Sequence, residues 1–223
     1  MVFKSVWCIW FISLLCGVAQ TESSPTTVGG LGRPAIIATV ALVEFETLPL
    51  DRRKLIEIAL AVARDSHWLV YTAGGAKPTD GGFDCSGAMH FVMRAAGLDP
   101  PRRAATQLEW LKLHDRFNEV PSEVMNMQHP TLAGLISGDL LFWGRQASSE
   151  TGDQGEVTHV AMFLGTERTD GQRVMINSTV GRSYRGIKAN GYGVYDFRLP
   201  PKGSRISFLG YGSPPGIAEM HKR

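Results

Sequence analysis

Between residues 51 and 66 the apolar positions recur at helical spacing. Leu55, Ala59 and Val62, with Ile56, Leu60 and Ala63 beside them, share one face, and Asp51 stands where a capping residue would sit. The pattern predicts a helix over about 51–66. A second is predicted from near Asp84 to Ala96, closed by Gly97, and a third over 105–116, where Leu108, Trp110 and Leu111 are available for packing. Beyond residue 138 the pattern changes to short runs rich in β-branched and aromatic side chains. Strands are expected at 139–144, 158–164, 173–178, 192–198 and 205–211. Helices first and strands after them describe a segregated α+β domain, N-terminal helices packed on an antiparallel sheet. Residues 35–45 are apolar and β-branched, and an extra strand laid on that domain is expected there.

The extreme N-terminus changes the compartment. Lys4 precedes an apolar stretch from Val6 to Leu15, and Gly17 and Ala19 then offer small residues for cleavage before Gln20. This reads as a secretory signal over residues 1–19, too short for a membrane span, and predicts a secreted or periplasmic protein with no membrane attachment after cleavage. Residues 20–34, rich in Thr, Ser, Gly and Pro, read as a linker, residues 51–212 as the working domain and 213–223 as a tail. The 223-residue chain is of a size for one such domain, and a monomer is expected. With 23 basic and 21 acidic residues and no basic stripe, nucleic acid is excluded as a partner.

Cleavage would remove Cys8 and Cys16 and leave Cys85 as the only thiol, so an intrachain disulfide is not expected. Cys85 opens the second helix, and Met89, Val92 and Ala96 continue its face into the core. A sulfur there meets unpaired backbone N–H groups and the positive end of the helix dipole, which favour thiolate and can hold an oxyanion. An ordinary helix start that happens to carry a cysteine is the alternative. No H-E-x-x-H or close His/Asp/Glu cluster suggests a metal, and no cofactor is expected.

Residues 71–87, Y-T-A-G-G-(x)8-D-C-S-G, resemble the signature of the NlpC-type cell-wall cysteine peptidases. P-R-R-A-A-T-Q at 101–107, S-G-D-L-L-F-W at 137–143 and T-H-V-A-M-F-L-G at 158–165 are similar to that family's later blocks, in the same order. The resemblance implies a papain-like domain that hydrolyses amide bonds of peptidoglycan peptides, typically between D-glutamate and a diamino acid, through an acyl-enzyme. It implies Cys85 as nucleophile and His159, at the head of an apolar strand, as base. Where most members carry a second histidine this chain has Asn177, whose amide can orient the imidazole as in Cys-His-Asn enzymes. Tyr71 would face the oxyanion or substrate, and Asp84 and Ser86 would bind the polar end of the peptide, with Asp84 equally able to serve as the helix cap. His90, five residues beyond Cys85, would point to another side of that helix, and His67, His114, His129 and His221 are left as solvated side chains. Trp68, Trp110, Trp143, Tyr192 and Tyr195 could line a groove or pack in the core. Two other activities share this pattern: the amidase cut between sugar and peptide made by CHAP-type enzymes, and silent binding to the wall.

Overall fold

A computed structural model describes residues 30–145 and 155–218. The expected signal segment, the linker as far as residue 29, Cys8, Cys16 and His221 lie outside the described residues. Three α-helices come first: α1 (Leu50–Asp65), α2 (Cys85–Ala95) and α3 (Ala104–Leu113). Three two-residue strands lie between α1 and α2: β1 (Val70–Tyr71), β2 (Ala76–Lys77) and β3 (Gly82–Phe83), with β3 parallel to β1 and antiparallel to β2. The main sheet has six antiparallel strands in the order β4-β9-β5-β6-β7-β8. They are β4 (Phe117–Glu119), β5 (Leu140–Arg145), β6 (Glu156–Thr166), β7 (Arg173–Tyr184), β8 (Ile187–Asp196) and β9 (Ser207–Gly212). The expected α+β layout, helices first and an antiparallel sheet after them, is met.

Strand alternation divides the core into two clusters. Phe142, Val160, Met162, Leu164, Ile176 and Val194 pack toward Leu55, Ile56 and Ala59 of α1 and Met89, Val92 and Met93 of α2. Leu141, Trp143, Ala161, Phe163, Met175 and Tyr195 form a second cluster with Val120, Val124 and Leu132. Trp143, Tyr192 and Tyr195 are thereby core residues, and none of them lines a groove.

Several boundaries differ from the sequence-based expectations for physical reasons. Pro49 occupies the cap of α1, and Asp51 lies one step inside, where its carboxylate accepts from the Arg52 amide and from Ala218 N–H. Helix α3 stops at Leu113, because Asp115 adopts φ 56° and turns the chain into β4 against β9. Residues 35–45 form no strand. They contribute isolated bridges, Ala35 to Val194 and Leu42 to Glu167, and two 3-10 turns, Thr39–Ala41 and Phe45–Thr47, while Leu42, Phe45 and Leu48 enter the first core cluster. Strands β7 and β8 run far beyond the expected 178 and start before 192. They form one long hairpin closed at Arg185 and Gly186, whose φ values of 50° and 82° suit a two-residue type I′ turn.

Arg52 is fully buried on α1 and binds the head of β5 to the C-terminal segment. Its guanidinium donates to Asp139 Oδ1 and the Ser137 carbonyl, each at 2.9 Å, to the Ala218 carbonyl at 2.9 Å, and to Ser213 Oγ. Ser213 Oγ in turn donates to Asp139 at 2.7 Å. Removing one member of such a pair strands the other charge. Arg52→Ala is expected to lower stability by about 3–5 kcal/mol in urea unfolding, against about 1 kcal/mol for Ser213→Ala.

Candidate active site

Strands β6 and β7 pair only between Met162–Thr166 and Arg173–Ile176. Before Met162, β6 is held by β5 alone; after Ile176, β7 is held by β8 alone. The N-terminus of α2 packs against both strands, and Ser178 Oγ of β7 donates to the Phe83 carbonyl just ahead of it at 2.7 Å. This parting places Cys85 beside an amide that has no strand partner. The N–H of Val160 donates toward the Cys85 sulfur, as do the amides of Cys85 and Ser86.

The helix start is rigid. Asp84 is the N-cap and accepts from Gly87 N–H at 2.6 Å. Gly87 has to be glycine, since a Cβ there would lie 2.0 Å from the Gly75 carbonyl oxygen. Arg102 forks onto the Asp84 carboxylate at 3.0 and 2.8 Å, and also donates to Ser86 Oγ and the Gly74 and Gly75 carbonyls. Burial raises the Asp84 pKa, but the Arg102 guanidinium and the Gly87 amide outweigh it and hold the carboxyl below its usual range. Asp84 also accepts from Gly74 N–H and Ser86 Oγ, so both carboxylate oxygens are engaged within the protein. Gln107 Nε2 closes the arrangement by donating to the Ser86 and Pro101 carbonyls. Arg102 and Gln107 had no assigned role in the sequence reading. The only hint was the 101–107 block itself.

His159 lies one residue before Val160 and opposite Trp143 in the β5–β6 register, its ring 5.6 Å from the indole. Asn177, fully buried on β7, reaches the ring at Nε2 through its side-chain amide. The Asn177 Oδ1 is buried without a partner. A half-turn of the amide, which exchanges groups of nearly equal size, would place Oδ1 on Nε2–H and leave Nδ1 as the unprotonated acceptor.

Cys85, His159 and Asn177 are thus brought to one junction of α2, β6 and β7. The thiol and the imidazole are not hydrogen-bonded to each other in this state and are linked through the Val160 backbone. Tyr71, on β1, is 37% exposed and lines with Cys85, Asp84, Ser86 and Arg102 a cavity of about 490 Å³. Burial, and then the charges of Cys85 and Asp84, push its phenol pKa up, so it remains an O–H donor. A second hollow of about 570 Å³ borders the first at Arg103, Ala105 and Val157. His90, His114 and His129 make local contacts and none lines the 490 Å³ cavity.

The electrostatics run against a resting thiolate. Burial pushes the Cys85 thiol pKa up, with the Asp84 charge adding to it, and the three backbone amides oppose without prevailing. Burial, helped by the Arg182 charge, pulls His159 down to about 3. At neutral pH the pair is a thiol beside a neutral imidazole. Among the described residues, no group of His, Cys, Asp or Glu is placed to hold a metal ion, and no helix is long and apolar enough to cross a membrane.

The scaffold presents a thiol from the first turn of a buried helix at the place where two strands of an antiparallel sheet part. A family model described as the NlpC/P60 family matches residues 69–193, more than half of the chain, and the chain belongs to that family. Similar solved structures include an NLP/P60 lipoprotein-like protein of Staphylococcus aureus, 22% identical, covering 81% of this chain and 43% of its own at a TM-score of 0.41. An NlpC/P60 protein of Bacillus cereus is 23% identical, covering 75% of this chain and 41% of its own, TM-score 0.42. The peptidoglycan hydrolase RipB of Mycobacterium tuberculosis is 20% identical, covering 78% and 71%, TM-score 0.43. The chain spans less than half the length of the first two. No curated protein matches it.

A buried, neutral thiol should be alkylated slowly. The rate of Cys85 modification by iodoacetamide is expected to climb through pH 9 with no plateau between pH 6 and 8; a titration midpoint below 7 would contradict the geometry described here.

Proposed function

We propose that the protein is an exported cysteine endopeptidase that cleaves an amide bond in peptidoglycan stem peptides, the D-glutamate to diamino acid bond being the expected target. The observation that carries this reading is the convergence of Cys85, the Val160 amide and the His159–Asn177 pair at the gap between β6 and β7. Membership of the NlpC/P60 family and the cavity beside Cys85 support it. Export rests on the apolar segment at the N-terminus.

In this reading Asn177 Oδ1 accepts Nε2–H and leaves His159 Nδ1 free. As substrate closes the cavity, Nδ1 takes the Cys85 proton while sulfur bonds to the carbonyl carbon and the C=O electron pair moves onto oxygen. Amides at the start of α2, with the Tyr71 hydroxyl, hold that oxyanion. The tetrahedral species collapses, the C–N bond breaks, and the amine departs with the proton from His159. Water, deprotonated by the same imidazole, then attacks the thioester, releasing the acid and restoring the thiol. Asp84 and Ser86 act by fixing the first turn of α2 and the Arg102 side of the cavity, where the peptide's polar end would lie.

Purified sacculi should release peptides in the presence of the protein, and Cys85→Ala should abolish release. Asn177→Ala should lower kcat on the order of 100-fold through loss of ring orientation, with Asn177→His retaining more. Unchanged release by Cys85→Ala would falsify the reading, and fragments cut between sugar and peptide, identified by mass, would assign the amidase cut instead. The form of His159 required is the neutral one, present above about 3, and the thiol must stay protonated until attack. On its acid side the kcat/KM profile is therefore expected to show no limb near pH 6.5 and to fall only as pH approaches the His159 value.

A further inference from the structure

Arg182 lies on β7, five residues beyond Asn177 and past the point where β6 and β7 part. Gly181, at φ 79°, precedes it, within an irregular stretch of the β7–β8 ladder between Val180 and Ser183. Its guanidinium rests on the indole face of Trp143, 4.6 Å from the ring centroid, and Trp143 also packs against the His159 ring. The side chain is partly buried, and burial pulls its pKa below the ordinary arginine value. What distinguishes it from Arg52 and Arg102 is the absence of a partner. Arg52 and Arg102 are each tied to a carboxylate, whereas no carboxylate or carbonyl among the described residues pairs with Arg182. Its nitrogens are nevertheless not sealed in the core, since none is among the occluded unpartnered atoms. The result is a planar fork of five donors, stacked at a fixed height and open to an incoming acceptor.

We propose that Arg182 is a specificity-determining residue that pairs with a free carboxylate on the substrate, next to the bond being cut. The inference rests on the hydrolase reading of this site and adds to it a requirement on the substrate's charge. The physical reason for the requirement lies in His159. During attack the imidazole takes a proton and becomes a cation, and a neighbouring guanidinium with no counter-charge opposes that change. A carboxylate seated on Arg182 cancels the opposition when substrate is bound and only then. Burial of the ring remains, but the one charge acting against the imidazolium is neutralised. A planar, bidentate acceptor suits a guanidinium held flat on an indole better than a lone oxygen would. Substrates carrying a neutral carboxamide at that place would leave the cation uncompensated and would be cut slowly.

The test uses two synthetic γ-D-glutamyl-diamino acid peptides that differ only in the α-carboxyl of the D-glutamyl residue, free acid in one and carboxamide in the other. The protein should prefer the acid roughly 10- to 100-fold in kcat/KM, the range of a charge-assisted hydrogen-bonded pair, with part of the difference in kcat. Arg182→Gln, which removes the opposing charge together with the carboxylate's partner, should cut both peptides at similar rates, faster than the unaltered enzyme cuts the carboxamide. Equal rates on both peptides with the unaltered enzyme, or a preference that persists in Arg182→Gln, would overturn the proposal. Binding of the same two peptides to Cys85→Ala by calorimetry needs neither turnover nor a change at Arg182. A preference for the acid there, without hydrolysis by the unaltered protein, would sustain the Arg182 site and sink the hydrolase reading. Equal affinities there, with hydrolysis of both peptides at equal rates, would do the reverse.

Discussion

Everything at the candidate site depends on the parting of β6 and β7. Two neighbouring strands that stayed paired along their whole length would satisfy each other's backbone groups, and no amide would be left for a side chain. Pairing stops at Met162 and Ile176, and the start of α2 fills the opening. The Val160 N–H then points at sulfur instead of a carbonyl. The glycine at position 87 and the Asp84 cap allow the helix to come close enough for this, and Arg102 fastens the loop around them. The histidine and its amide partner follow from the same split, since both lie on the strand segments that no longer face each other across a ladder.

Burial at this junction outweighs the field of the helix. The sequence position of Cys85 suggested a thiolate favoured by the macrodipole, and the amides are there to favour it. Desolvation of a sulfur under the packed α2 is the larger effect, and it is larger again for His159. The resting site therefore holds no separated charges. It is a thiol beside a neutral imidazole, and the reaction proposed above starts from that neutral pair and not from a preformed ion pair.

Three arginines turned inward show how differently one residue type is used. Arg52 satisfies its donors on Asp139, Ser213 and two carbonyls, and so joins α1, β5 and the C-terminal segment. Arg102 satisfies its donors around Asp84 and braces the start of α2. Among the described residues Arg182 meets an indole face and no carboxylate. A partly desolvated cation without a counter-ion carries a free-energy cost that the fold itself does not offset, and its place beside His159 locates that cost at the site.

The helices and the place of Cys85 were legible in the sequence because both are local facts. Apolar spacing defines the faces of α1 and α2, Gly97 closes the latter at φ 94°, and a single motif puts Cys85 at its start. The five main strands were legible as segments for the same reason, though not their lengths. The polar, glycine-rich stretch from 179 to 191 has no alternation to reveal a strand, and becomes one only because each half pairs with the other across the Arg185–Gly186 turn. The 35–45 run has the composition of a strand, yet it crosses the core from β8 to the end of β6, and its backbone is satisfied by turns and two bridges. Arg102 and Arg182 could not be singled out locally, because their partners, Asp84 and Trp143, are distant in the chain. Residue types and short-range spacing decided which groups are available for chemistry. Which of them meet, and in which charge state, was decided by long-range strand pairing and burial, and those exist only once the sheet has formed.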